Sequence, residues 1–181
     1  MQYVGLAARF LIGAVFLVSA LTKLTSGVRY RSFVRATKRM RIVPRNLVTA
    51  AAITVAASEV AIVVLLAVPV DLVATAGFAV AFGLLAAFTV GIVVAVKDGQ
   101  TEPCACFGKS TTPIGTQHAF RNGFLMLAAV LGAIGTLTGG TLAFGLAAVA
   151  AVGGLVFGGL VTMFDDLYEL FAPSPAPARR S

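Results

Sequence analysis

LVATAGFAVAFGLLAAFTVGIVVAV, residues 72–96, contains no charged side chain. As a helix it is long enough to cross the hydrocarbon of a bilayer, which takes roughly 20 apolar residues. Pro69 and Asp71 make a tight turn before it, and Lys97-Asp98-Gly99 bounds it on the other side. Four more runs read the same way. They are residues 4–21 with Arg9 inside, 47–68 with Glu59 inside, 118–137, and 142–161. The whole chain agrees: of 181 residues 59% are hydrophobic and 12% charged, and the mean hydropathy is +0.96. Soluble domains rarely have such a composition. The expected fold is therefore all-α, a polytopic membrane bundle of about five transmembrane helices, four forming a core and one added. Residues 1–171 make a single domain and the Pro-rich tail 172–181 is expected to be disordered. Val18-Ser19-Ala20 resembles a signal-peptide cleavage site. The first eight residues carry no basic side chain, however, so a retained span is expected.

The net charge of +7 does not point to nucleic acid, because it is concentrated in one place. Eight of the 14 basic residues (Lys23, Arg29, Arg31, Arg35, Lys38, Arg39, Arg41, Arg45) lie between the first two apolar runs. In a membrane protein such a cluster sets orientation and meets anionic headgroups. Within it, residues 26–40 place Tyr30, Phe33, Val34 and Met40 toward one side of a helix and Arg31, Arg35, Lys38 and Arg39 toward the other. That split predicts a short interfacial helix after the first span. Gly135-xxx-Gly139 and Gly154-xxx-Gly158 have the spacing that lets membrane helices approach closely, within one chain or between copies in a homo-oligomer.

Charges inside the hydrocarbon are costly and need partners. Arg9 lies about 13 residues before the basic loop and Glu59 about 12 after it, which at ~1.5 Å per residue puts both roughly 18–20 Å deep. The equal depth predicts an Arg9–Glu59 pair, structural or part of a proton or substrate path; the alternative is a water-filled cavity, or Arg9 snorkelling to the opposite face.

Between the third and fourth spans lies Thr101-Glu-Pro-Cys-Ala-Cys-Phe-Gly-Lys109, with the only two cysteines, Cys104 and Cys106. Pro103 and Gly108, with Phe107 before it, suggest a turn that presents the sulfurs. Thiols at this spacing can form a strained, reducible disulfide or hold one soft metal ion as a pair; they also suit two unreactive packed thiols. Five spans put the basic loop, this loop and the C-terminus on one membrane face. Lys23, His118 and Arg121 then share the cysteine face, where cationic groups raise a thiol's thiolate fraction. His118 with two cysteines would supply three ligands, one short of a closed zinc site, and no metal is expected.

In this order the features resemble the MauE proteins, membrane proteins related to the DoxX group and named from methylamine utilisation. The resemblance is carried by Arg9-Phe-Leu-Ile-Gly-Ala-Val-Phe-Leu-Val-Ser-Ala20 followed by Lys23, the basic segment ending Val43-Pro44, Glu59, Cys104-Ala-Cys-Phe-Gly108, and Arg121-Asn122. It implies a redox-associated, multi-pass protein of the cell membrane. Such proteins assist disulfide formation or maturation of exported proteins, often with a thioredoxin-like partner. The layout is also similar to vitamin-K-epoxide-reductase-type oxidoreductases, which couple a dithiol to quinone; a quinone cofactor enters by that analogy alone. Those enzymes carry a Cys-x-x-Cys and a second cysteine pair, and this chain has neither. The alternative function is a small-molecule or copper(I) transporter or chaperone-type subunit, with Arg9 and Glu59 lining a path. Orientation sets two arguments against each other. The basic loop places the cysteines in the cytoplasm, whereas disulfide formation favours the oxidising face.

Overall fold

The computed structural model describes residues 1–25, 27–39, 44, 46–97, 116–138 and 143–171. Those residues form six helices: α1 (Gln2–Leu24), α2 (Gly27–Arg39), α3 (Val48–Ala67), α4 (Asp71–Lys97), α5 (Thr116–Leu137) and α6 (Phe144–Phe171). All but α2 contain a stretch long and apolar enough to span a membrane, which gives the five spans expected. The tail 172–181 and the cysteine loop lie outside the described residues.

Helices α1, α3, α4 and α5 form a ring of neighbours in that order, closing from α5 back to α1, and α6 packs on the outside of α1. In α1 the buried positions Ala8, Leu11, Ile12, Val15, Phe16, Ser19 and Lys23 recur at helical spacing, so a single stripe faces the ring. Ile62 and Leu66 from α3, Phe78, Ala81 and Leu85 from α4, and Leu125 and Ala129 from α5 complete the core. The outward faces remain apolar, with Ile53, Val64, Leu72, Val90 and Leu127 all exposed, as lipid contact requires.

Close contacts fix the directions of the helices. Thr75 and Thr136 share a hydrogen bond of 3.1 Å, and Asn122 Nδ2 donates to Thr89 Oγ1 at 3.4 Å, so α4 and α5 run antiparallel. Gly5 lies against Gly135 and Ala8 against Gly132, which makes α1 and α5 antiparallel too. A side chain at either Gly5 or Gly135 would collide with the other helix's backbone; here glycine permits the crossing. Gly154 and Gly158 pack on Ala7 and Leu11, so α6 runs parallel to α1. This glycine pair is thus used inside the chain, for α1–α6 packing. Gly139 lies outside the described residues.

Two boundaries differ from the sequence reading. Helix α6 continues ten residues past the expected end at Val161, to Phe171. Hydropathy falls there, but residues 162–171 contain neither Gly nor Pro, and nothing stops the helix leaving the bilayer. The other is at the end of α3. Pro69 biases Val68 away from helical geometry, and Val68 is extended, with φ −70° and ψ 126°.

Candidate functional site: a buried polar layer at one end of the bundle

One end of the ring departs from its apolar character. The buried polar and charged residues among those described are Ser19, Lys23, Glu59, His118, Arg121 and Asn122. Extending the contacts Gly5–Gly135 and Ala8–Gly132 along antiparallel α1 and α5 brings Ser19 opposite Arg121 and Thr22 opposite His118. These residues therefore belong to the end where α1 finishes and α5 begins.

The centre of the layer is an ion pair. Lys23 Nζ donates to Glu59 Oε1 at 2.5 Å, with Glu59 fully buried and Lys23 4% exposed. Ser19 Oγ donates to the same carboxylate oxygen at 2.9 Å and accepts from Lys23 Nζ at 2.8 Å. The three groups form a closed triangle. Its local cause is helix geometry. Side chains lean toward the helix N-terminus and residues four apart stack, so Lys23 in the last turn of α1 reaches back over Ser19. Long stem, charged head and short hydroxyl together bring an ammonium to a carboxylate that starts a full helix away. Phe33 of α2 closes the arrangement: it is 6% exposed, and Lys23 Nζ stands 5.0 Å from its ring centroid, a cation–π contact.

Glu59 therefore pairs with Lys23 and not with Arg9. Arg9 Nε donates to the Leu66 carbonyl at 2.6 Å, and its Nη2 donates to the Val68 carbonyl. The physical reason is the end of α3. Pro69 stops the helix and leaves its last carbonyls without intrahelical donors, where the helix dipole also concentrates negative potential. A guanidinium, with its fixed fork of donors, satisfies two of them at once. Depth counted from the span ends was misleading because α1 and α3 do not end level: with Glu59 beside Ser19 and Lys23, and Arg9 at Leu66, the first residues of α3 lie beyond the end of α1. The partner of Glu59 is thus the last turn of α1.

On the far side of the ring, α5 supplies His118, Arg121 and Asn122 from its first two turns, all buried. Asn122 reaches Thr89 of α4. Two acceptor atoms in the layer, Glu59 Oε2 and Asn122 Oδ1, are buried without a hydrogen-bond partner among the described residues.

Of the residues singled out in the sequence, the structure gathers Lys23, His118, Arg121 and Glu59 at one end and sends Arg9 to the other end of α3. Cys104, Cys106, Pro103, Phe107 and Gly108 lie outside the described residues. Sequence reasoning missed Ser19 and Thr89. The Ser19-xxx-Lys23 spacing was the available signal for Ser19; a threonine in an apolar run gives none for Thr89. No three His, Cys, Asp or Glu side chains converge as a metal site among the described residues.

Neither the curated proteins nor the solved structures hold a match to this chain. Residues 1–135 do match a family model, that of the methylamine utilisation protein MauE. The match takes in the whole of α1 to α4 and α5 as far as Gly135, and so includes every residue of the polar layer. With 135 of 181 residues matched and five helices able to span a membrane, the chain is a multi-pass membrane protein and belongs to the MauE family.

Proposed function

We propose that this protein is a thiol–disulfide redox protein of the cell membrane, acting through Cys104 and Cys106 on a thioredoxin-like partner. The observation that carries this reading is that the chain leads from the cysteine loop into the part of the buried polar layer formed by the start of α5. Helix α4 ends at Lys97 and α5 begins at Thr116, seven residues before Cys104 and ten after Cys106. The first two turns of α5 bury Arg121 and His118; the last turn of α1 buries Lys23, whose charge is paired with Glu59. Cations and a helix N-terminus stabilise a thiolate, which is the attacking species.

The chemistry follows from one dithiol. A cysteine thiolate attacks one sulfur of the partner's disulfide, forming a mixed disulfide and expelling the partner's other sulfur as a thiolate, which takes up a proton. The second cysteine, deprotonated, then attacks the mixed disulfide and releases the partner's remaining thiol. Two electrons pass to the partner and the Cys104–Cys106 pair becomes a disulfide; the same steps reversed oxidise a partner dithiol. A quinone is the class of acceptor that would reset the pair in the oxidising direction. Within the layer, Lys23 and Glu59 hold the ends of α1 and α3 together, and Arg121 and His118 act on the thiols electrostatically.

Replacing one cysteine tests the reading. Cys104→Ser or Cys106→Ser is expected to trap a mixed disulfide that runs as a heavier, reductant-sensitive band and contains a thioredoxin-like protein. The double variant traps nothing. Absence of any such adduct from both single variants, in protein that is folded and present in the membrane, contradicts the proposal and favours the copper(I) or transport alternative.

A further inference from the structure

We propose that α2 is an anionic-lipid-binding helix, held by Phe33 over the polar layer so that Arg31, Arg35 and Lys38 meet phosphate headgroups. Three observations carry it. The helix is anchored on one side only: Phe33 is buried against Lys23, while Arg31, Arg35 and Lys38 are exposed. These three lie three to four residues apart and share a face with exposed Val28. Among the described residues none of the three has an ion-pair partner. The chain has no Asp or Glu before Glu59, and that carboxylate is buried on Lys23. Arg31 Nε donates to its own helix's Gly27 carbonyl at 3.1 Å, a contact that leaves its charge uncompensated.

The position of the helix selects the partner. Helix α2 follows the last turn of a membrane-spanning helix after a two-residue break, which holds its basic face at the level where α1 leaves the hydrocarbon. At that level the anions met by an outward basic face are lipid phosphates. Each basic residue close to such a surface strengthens attraction roughly fivefold. The anchor also gives the contact a consequence. Lipid holding the outer face keeps Phe33 seated on Lys23, so headgroup charge and the buried pair act on the same helix from opposite sides.

The chain has no tryptophan, so Val28→Trp places a single tryptophan, excited selectively over the three tyrosines, on the basic face. The full-length variant is reconstituted in phosphatidylcholine vesicles containing a minority of phosphatidylglycerol, with bromine on one lipid or on the other. Expected is quenching by the brominated phosphatidylglycerol that corresponds to about threefold enrichment or more over its bulk fraction. Adding Arg31→Gln, Arg35→Gln and Lys38→Gln, all at exposed positions, is expected to return it to the bulk proportion. High salt is expected to do the same in the parent without unfolding it, an independent measurement should the triple variant fail to fold. Quenching at the bulk proportion in the parent, or enrichment that survives both neutralisation and salt, overturns the proposal. Neither outcome depends on the cysteines, so the thiol reading stands or falls separately.

Discussion

Glu59→Ala is expected to cost about 3–5 kcal/mol of folding stability, the usual consequence of leaving one member of a buried ion pair alone. Lys23 loses its carboxylate in a site where it is 4% exposed, and Ser19 loses its acceptor. Lys23→Ala strands Glu59 in the same way. The double variant Lys23→Met with Glu59→Leu replaces both charges with apolar groups of similar volume and is expected to lose less than either single one. Reversible thermal unfolding in detergent micelles, read by circular dichroism, measures all of them in one double-mutant cycle. Additive losses would show that Lys23 and Glu59 do not act as a pair. Parallel substitution of Arg9 and Glu59 serves as the control: those two hold different partners and are expected to be additive.

Arg9→Ala is the second large effect. It removes two charge-assisted hydrogen bonds, leaving the Leu66 carbonyl without that donor and the Val68 carbonyl with only the Val70 N–H. A loss of about 2–4 kcal/mol is expected. Arg9→Lys is expected to recover only part, because an ammonium is a point charge and cannot imitate the fork that spans both carbonyls. Full recovery by lysine in the same unfolding measurement would show that charge alone is what matters at this helix end.

The spans were legible because the bilayer reduces the problem to length and apolarity, and residues 72–96 satisfy both without a single charge. Helix α2 was legible for a different reason. Its aromatic and basic residues alternate at helical spacing, and the observed Gly27–Arg39 lies inside the expected 26–40. The pairing of Glu59 was not legible from depth. Two helices joined by a third can slide along each other, and the sequence does not say how far. A lysine reaching back one turn shifts its charge further still. The role of Arg9 was hidden because its partners are backbone carbonyls, which every residue carries. Only Pro69, which frees them, stood as a signal. The end of α6 escaped because hydropathy reports where the bilayer stops, and helices need not stop there.

Alkylation kinetics show whether the buried polar layer serves the cysteine pair. Purified full-length protein, reduced and held at pH 7, is treated with iodoacetamide, and modification of Cys104 and Cys106 is followed by mass spectrometry. At least one of the two is expected to react about tenfold faster than an unperturbed thiol, because more of it is thiolate. Arg121→Gln is expected to slow that reaction severalfold while the protein stays folded. Both cysteines reacting at or below the rate of a free thiol, with no change in Arg121→Gln, would contradict the claim and leave the layer a purely structural one.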